Sequence, residues 1–282
     1  MENLLKIRFY IKKKIVENLN IINFSSSHKK NSLRIMMFHD TPKKDHIVYI
    51  NQIRFLIKNG WKFLDPKQFI YKKITKKKFY GKNLVITFDD GLKSNKIFAR
   101  KLKDKFGIKS IFFVPYEFIT MKKKNDIKNF CIKKLKLNKK NYSNLNLNLR
   151  DLKYLINNGH IIGSHTLSHP NLKKIEDQNK LNKEIKDSKK LLSDSLKTKI
   201  NTFAFTYGTL EDINKKSLKL SLKYYDLVFT GIRGNNLENN KVLFRDEINS
   251  KYSLSMCSSF LDGNADFIYN NSRKKLLQMC NY

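Results

Sequence analysis

Two adjacent carboxylates, Asp89-Asp90 in LVITFDDGLKSN (84–95), and two histidines four apart, His165 and His169 in GSHTLSHP, are the residues whose types and spacing could do chemistry. Two like charges at the end of an apolar run repel each other unless a cation relieves them. Successive strand residues point to opposite faces, so one of the pair suits ligation in ideal geometry, whereas at a turn both can reach one cavity. Histidines at i and i+4 share one side of a helical turn or one short loop. Two imidazoles and a carboxylate are a standard set for Zn²⁺ or a similar divalent ion, with a position left for water. The second carboxylate is then free to take a proton from that water. Taken singly, these signals are weak. Asp-Asp-Gly after a strand is commonly a turn or a helix cap, and a lone histidine such as His39 is commonly a core or loop residue. What gives them weight is their placement.

That placement comes from the surrounding elements. From Leu33 onward a helix-like segment repeatedly ends in glycine and an apolar strand follows. Ile53 to Asn59 reads as helix, Gly60 as its stop and Trp61 to Leu64 as strand. Leu102 to Phe106, Gly107 and Ile108 to Val114 repeat the pattern, as do Leu152 to Ile156, Gly159 and His160 to Ser164. Ser217 to Tyr224 leads into Asp226 to Thr230 in the same way. Helices alternating with buried strands predict parallel β/α units with right-handed crossovers. The strand 33–38 ends at His39-Asp40, 84–88 at Asp89-Asp90, 111–114 at Pro115, 161–164 at His165 and 202–205 at Thr206-Tyr207. In a parallel β/α barrel all of these ends share the face that carries the chemistry. The Lys/Asn-rich stretch Lys122 to Asn148 lacks this patterning and reads as an inserted loop that has room for a short helix.

Composition sets the outer bounds. With 282 residues, 40% of them hydrophobic and 20 of them Phe, the chain can build a sizeable core. The formal charge of +34 invites a nucleic-acid reading. The excess is mostly Lys, spread along the chain with abundant Asn and Ile, and no nucleic-acid module appears, so nucleic acid is not expected as a partner. Cys131, Cys257 and Cys280 are widely spaced, which argues against a disulfide framework and suits a reducing compartment. No apolar run reaches the roughly 18 residues of a spanning helix, and lysines interrupt the N-terminus where a secretion signal would need an apolar core. Leu4, Ile7, Ile11, Ile15, Leu19 and Ile22 recur at helical spacing. Residues 1–30 are therefore expected to form an amphipathic helix and linker ahead of a catalytic domain at 31–282. The helix either packs on that domain or lies through residues 4–22 on an anionic membrane. A cytoplasmic location is the expectation, with peripheral contact at the inner membrane face only in the second case.

TFDDG (87–91) and SHTLSHPNL (164–172) resemble the first two motifs of the polysaccharide deacetylases, carbohydrate esterase family 4, the nodulation-type oligosaccharide deacetylase domain. The resemblance extends from MMFHD to VLFRDEI and takes in FGIKSIFFVP and INNGHIIGSH. It implies a deformed parallel β/α barrel and hydrolysis of an acetyl group, N-acetyl before O-acetyl, from a polysaccharide, oligosaccharide or lipid-linked sugar. By position Asp89 resembles the general base, Asp90 the metal carboxylate, and His165 and His169 the metal imidazoles, with Zn²⁺ ahead of Co²⁺, Ni²⁺ or Mn²⁺. FAFTYG (203–208) resembles the third motif, where an amide near Tyr207 helps bind the oxyanion. Thr206, Pro115 and Arg245 complete the candidate substrate and oxyanion contacts, and Arg245, in FRDEI, resembles a late strand position of a subgroup and could orient Asp89. The departures are Ala204 and Thr206 in the third motif, and no histidine after His169, where many members keep a general acid. His39 is the candidate to replace that acid. The rival expectations are a catalytically impaired, metal-containing glycan binder and a basic nucleic-acid or membrane-surface protein.

Overall fold

The computed structural model describes residues 31–140 and 143–280; the expected N-terminal helix over 4–22, with its membrane contact, lies outside them. The strands are β1 (Ser32–Phe38), β2 (Lys62–Phe63), β3 (Lys82–Phe88), β4 (Ser110–Val114), β5 (Ile161–Ser164), β6 (Thr202–Ala204), β7 (Leu227–Phe229), β8 (Val242–Leu243) and β9 (Asp246–Glu247). They form one sheet in the order β8-β7-β6-β5-β4-β3-β1-β9, with β2 beside the first half of β3. Each paired strand is parallel to its neighbour, from Ser32 opposite Lys82 to Phe229 opposite Leu243. Helices His46–Lys58, Lys93–Phe106, Leu149–Asn157, Ser188–Leu196 and Lys215–Tyr224 supply the crossovers. The expected deformed β/α barrel is what forms.

Period-two alternation sorts the strand residues onto two buried faces, as a parallel sheet covered on both sides requires. Met36, Phe38, Leu84, Ile86, Phe88 and Phe112 pack outward against helix residues such as Ile53, Phe98 and Leu102. Leu33, Ile35, Val85, Ile111, Phe113, Phe229 and Leu243 fill the concave interior, joined by Phe69 and Phe79. The interior register of β3 therefore runs Val85, Thr87, Asp89. That register places the first of the two carboxylates inside the barrel.

The sheet ends are drawn together by a short stretch of chain. Only Phe244 and Arg245 separate β8, which pairs β7, from β9, which pairs β1. Buried Asn236 fills the seam: its Nδ2 donates to the Phe244 carbonyl at 2.9 Å and its Oδ1 accepts from the Phe244 amide at 2.8 Å. Its backbone amide donates to the Leu33 carbonyl at 2.9 Å. An open sheet edge is thus satisfied by one side chain and one loop.

Helix Lys93–Phe106 ends at Gly107 in the left-handed region (φ +68), the C-terminal stop the sequence predicts. The stretch Lys122 to Asn148 has the short helix that its reading allowed, and beyond that reading it builds a core of its own. It carries helix Lys124–Lys133, and Ile127, Phe130 and Cys131 bury against Leu92 and Phe118 as a small separate core. Asn146 fixes its far end by donating to the Phe118 and Met121 carbonyls at 2.7 and 3.0 Å. These contacts join residues about 25 apart, which local periodicity does not report.

Candidate active site and metal centre

The strand ends converge on a cavity of about 200 Å³ lined by Met37, His39, Asp89, Asp90, Lys134, Leu135, Lys136, His165, His169, Phe205, Tyr207 and Arg245. Of the sequence-derived candidates, Pro115 and Thr206 are not among its walls. Both are buried, and the Thr206 hydroxyl is engaged in donating to the Pro170 carbonyl. The sequence reading missed Lys134, Leu135 and Lys136, which the folded insertion brings over the site.

Backbone geometry aims the site. Asp90 (φ +72), Thr166 (φ +70), His169 (φ +56) and Tyr207 (φ +63) are all left-handed without being glycine. Such residues cost of order 1–3 kcal/mol each and cluster where function demands them. At Gly91 φ is +70, a conformation strained for any residue with a Cβ, and a Cβ there would also stand 3.2 Å from Ile119 Cγ2, so the turn after the carboxylates favours glycine. The Asp89 amide donates to the Phe38 carbonyl at 2.9 Å, and buried Asn95 donates to the Asp89 carbonyl at 2.9 Å.

Asp90, His165 and His169 form the one cluster of three potential ligands among the described residues, with their ligand atoms all within 4.8 Å of one another. Asp90 Oδ1 lies 3.6 Å from His165 Nε2 and 3.3 Å from His169 Nε2. A tetrahedral ion with bonds of about 2.0–2.1 Å needs ligand atoms about 3.3–3.4 Å apart, so the donor set fits a zinc-type ion. His165 Nδ1 donates to the Ala204 carbonyl at 2.8 Å, which fixes the tautomer and leaves Nε2 free to ligate. His169 Nδ1 is buried with no partner among the described residues, so its tautomer is set only at Nε2, beside Asp90. Burial opposes ionising Asp90, but hydrogen bonds to His165 and His169 and the nearby His39 overcome it and hold its carboxyl well below the usual range. Burial pushes the His169 imidazole down. An anionic carboxylate and a neutral imidazole are the forms a metal requires.

Asp89 sits one step further off. Its Oδ1 accepts from Arg245 Nη1 at 2.7 Å, and its Oδ2 is 3.9 Å from His165 Nε2. Arg245 is fully enclosed: Nε donates to the Thr230 carbonyl at 2.8 Å and the guanidinium lies 5.3 Å from the Phe113 ring centre. His39 forms part of the cavity wall with an edge exposed to solvent and has no hydrogen bond to another described residue. Enclosure by the walls opposes its charge, yet the carboxylates of Asp90, Asp89 and Glu247 outweigh that and raise its pKa, while water at the exposed edge screens them. Tyr207 is 45% exposed at the mouth, its ring 5.4 Å from that of His169. Its backbone N–H has no acceptor among the described residues. Burial pushes the Cys131 thiol up to about 11 and the Cys257 thiol up to about 12, so neither is a thiolate at neutral pH. The arrangement combines three potential ligands, a carboxylate held by one oxygen, an imidazole and an unused amide donor.

The polysaccharide deacetylase family profile matches residues 76–225, more than half of the chain and both acidic and histidine motifs. A curated relative, "Putative polysaccharide deacetylase YxkH" of Bacillus subtilis (strain 168), is 26% identical over 214 residues, covering 76% of this chain and 64% of that protein's length. Two solved structures share the fold. The deacetylase PplD of Streptococcus pyogenes, solved in complex with acetate, matches with a TM-score of 0.64 at 20% identity over 82% of this chain and 98% of its own. IcaB from Ammonifex degensii matches with a TM-score of 0.65 at 17% identity over 82% and 97%. The profile match and the curled parallel barrel agree with the motifs, and the chain belongs to the polysaccharide deacetylase family.

Proposed function

We propose that the protein hydrolyses an acetyl group, N-acetyl in the first instance, from a sugar of a polysaccharide, oligosaccharide or glycolipid, with a divalent ion held by Asp90, His165 and His169. The observation that carries this reading is the Asp90-His165-His169 cluster, with Asp89 beside it on an arginine tether. Such an ion supplies Lewis acidity: it polarises a carbonyl and can lower the pKa of water from about 15.7 to roughly 7. Zn²⁺ suits the donor set best, with Co²⁺, Ni²⁺ or Mn²⁺ able to occupy the same ligands.

The remaining work falls to the chain. Asp89 takes the proton of the attacking water at Oδ2, since Oδ1 is occupied by Arg245. Arg245, from the barrel seam, holds that carboxylate, and FAFTYG, the third motif of this chain, has no arginine that could do so. The unused Tyr207 N–H is the donor available to the oxyanion as negative charge develops; one such donor is typically worth roughly 3–4 kcal/mol. His39 returns a proton to the leaving amine, the task left open by the absence of any histidine after His169. Both departures from the motif pattern thus have a substitute group within the same cavity, and this supports an active enzyme over a glycan-binding relative.

The test is a panel of chito-oligosaccharides, lipid-linked N-acetylamino sugars and O-acetylated glycans, with released acetate measured for the wild type and Asp89→Asn. Acetate release from an N-acetyl member that the variant loses supports the proposal. Glycan binding without acetate release, at full metal content, identifies the protein as a binder.

A further inference from the structure

The backbone hydrogen bonds of the loop that carries His165 and His169 raise an accounting question. The His165 amide donates to the Val114 carbonyl at 3.1 Å, and the Thr166 and Leu167 carbonyls accept from the Tyr116 and Glu117 amides at 3.3 and 2.9 Å. The His169 amide donates to Thr166 Oγ1 at 2.9 Å. The two amides between the histidines, Leu167 and Ser168, both donate to Glu184 Oε2 at 2.9 Å, and the Ser168 hydroxyl donates to Oε1 at 2.6 Å. Glu184 is only 8% exposed.

Glu184 reaches the loop from an irregular helix. Segments Gln178–Asn182 and Ser188–Leu196 are joined by a π-helical turn, Lys183–Asp187. A π-turn is a single-turn irregularity that is common near functional sites. Here the Ile185 carbonyl is taken by the Tyr225 hydroxyl at 2.8 Å and by Ser188 Oγ at 3.1 Å, so buried side chains stabilise the turn. Nothing else described bonds the Leu167 and Ser168 amides, and the loop they belong to includes two left-handed residues, Thr166 and His169.

We propose that Glu184 is a positioning residue for the metal site: its carboxylate clamps residues 167–168 and thereby sets the separation and aim of His165 and His169. This rests on the reading that Asp90, His165 and His169 hold a divalent ion. It assigns a role to the π-turn, which otherwise has none.

The experiment titrates metal-free full-length protein with Zn²⁺ by calorimetry for the wild type, Glu184→Gln, Ser168→Ala and Leu192→Ala, with thermal unfolding of each metal-free form. Glu184→Gln leaves the Leu167 and Ser168 N–H groups a neutral amide oxygen in place of a carboxylate and turns the oxygen that accepts from the Ser168 hydroxyl into a donor, and its Zn²⁺ dissociation constant is expected to rise by roughly 10–100-fold, the usual effect of weakening a partner behind the ligands. Ser168→Ala removes one of the three bonds and is expected to shift it in the same direction by a few-fold. Leu192→Ala opens a cavity at a fully buried position of the same irregular helix without removing any of the three bonds to the loop, and is expected to lower the melting temperature with Zn²⁺ affinity unchanged. Wild-type affinity in Glu184→Gln overturns the proposal, as does an equal weakening in Leu192→Ala. If Glu184→Gln does not fold, wild-type affinity in Ser168→Ala overturns it. Failure of the wild type itself to bind Zn²⁺ overturns the metal reading instead.

Discussion

Replacing Arg245 with methionine leaves the Asp89 carboxylate buried and unpaired. Both side chains are nearly inaccessible, at 1% and 2%, and their contact is a 2.7 Å bond. Breaking a buried pair by removing one partner typically costs about 3–5 kcal/mol. The Thr230 carbonyl also loses its Nε donor. A domain of about 250 residues unfolds with an entropy of about 0.5 kcal/mol per kelvin, so the metal-free Arg245→Met protein should melt about 6–10 °C below wild type. Asp89→Asn in the same background removes the stranded charge and should recover most of that loss, giving a favourable coupling of at least about 1 kcal/mol in a double-mutant cycle. The assay is thermal unfolding with chelator present, so that an ion contributes nothing, followed by acetate release after metal is restored. Arg245→Lys should not rescue turnover, because a lysine cannot reproduce a guanidinium that bonds Asp89 and Thr230 at once. Additive melting shifts, or turnover in Arg245→Met within a few-fold of wild type, would refute the tether.

Three further outcomes follow from the same geometry. Asp89→Asn should keep its metal and lose roughly 10²–10⁴-fold in turnover, whereas Asp90→Asn should lose metal; the reverse pattern would exchange their roles. His39→Gln should keep fold and metal and lose turnover on amides more than on activated acetyl esters, whose leaving groups need no proton; equal losses would remove the acid role. His160, buried outside the cavity and accepting from the Ser110 amide at 3.1 Å, has its pKa lowered by burial from 6.5 to about 4. Between those values the unfolded chain binds the proton and the folded one does not, so stability falls as pH drops through that window, by up to about 3 kcal/mol. His160→Gln should flatten that part of the profile, and an unchanged slope would show that the burden lies elsewhere.

Much of this site was legible because strand ends are legible. The run LVITF and the glycine stops give the strand register, and period two then sends Asp89 inward with Val85 and Thr87. The one motif that holds both histidines follows a strand whose end lies on the same face. Extents were less legible: helix His46–Lys58 begins seven residues before the expected Ile53, because its first turn has no capping side chain to mark it. Strands β8 and β9, two residues each, are too short to show any period, and the sheet ends meet beside Arg245 because β9 pairs with β1, a strand more than 200 residues earlier. Lys134 to Lys136 reach the cavity through a lysine-rich insertion whose anchors, Asn146 at one end and the Lys139–Asp40 ion pair, are tertiary. Nothing in the sequence around Glu184 marks it as buried, and the π-turn that aims it is invisible to a 3.6-residue pattern.

The central claim, metal-dependent deacetylation at Asp90, His165 and His169, is tested most directly by removing and restoring the ion while acetate is counted. Chelated protein assayed on an N-acetylated oligosaccharide should release no acetate. Adding back about one equivalent of Zn²⁺ or Co²⁺ per chain should restore release, with one free amine appearing per acetate, and His169→Ala should stay silent under the same conditions. Acetate release that persists in metal-free protein, or that returns equally in His169→Ala, would contradict the account.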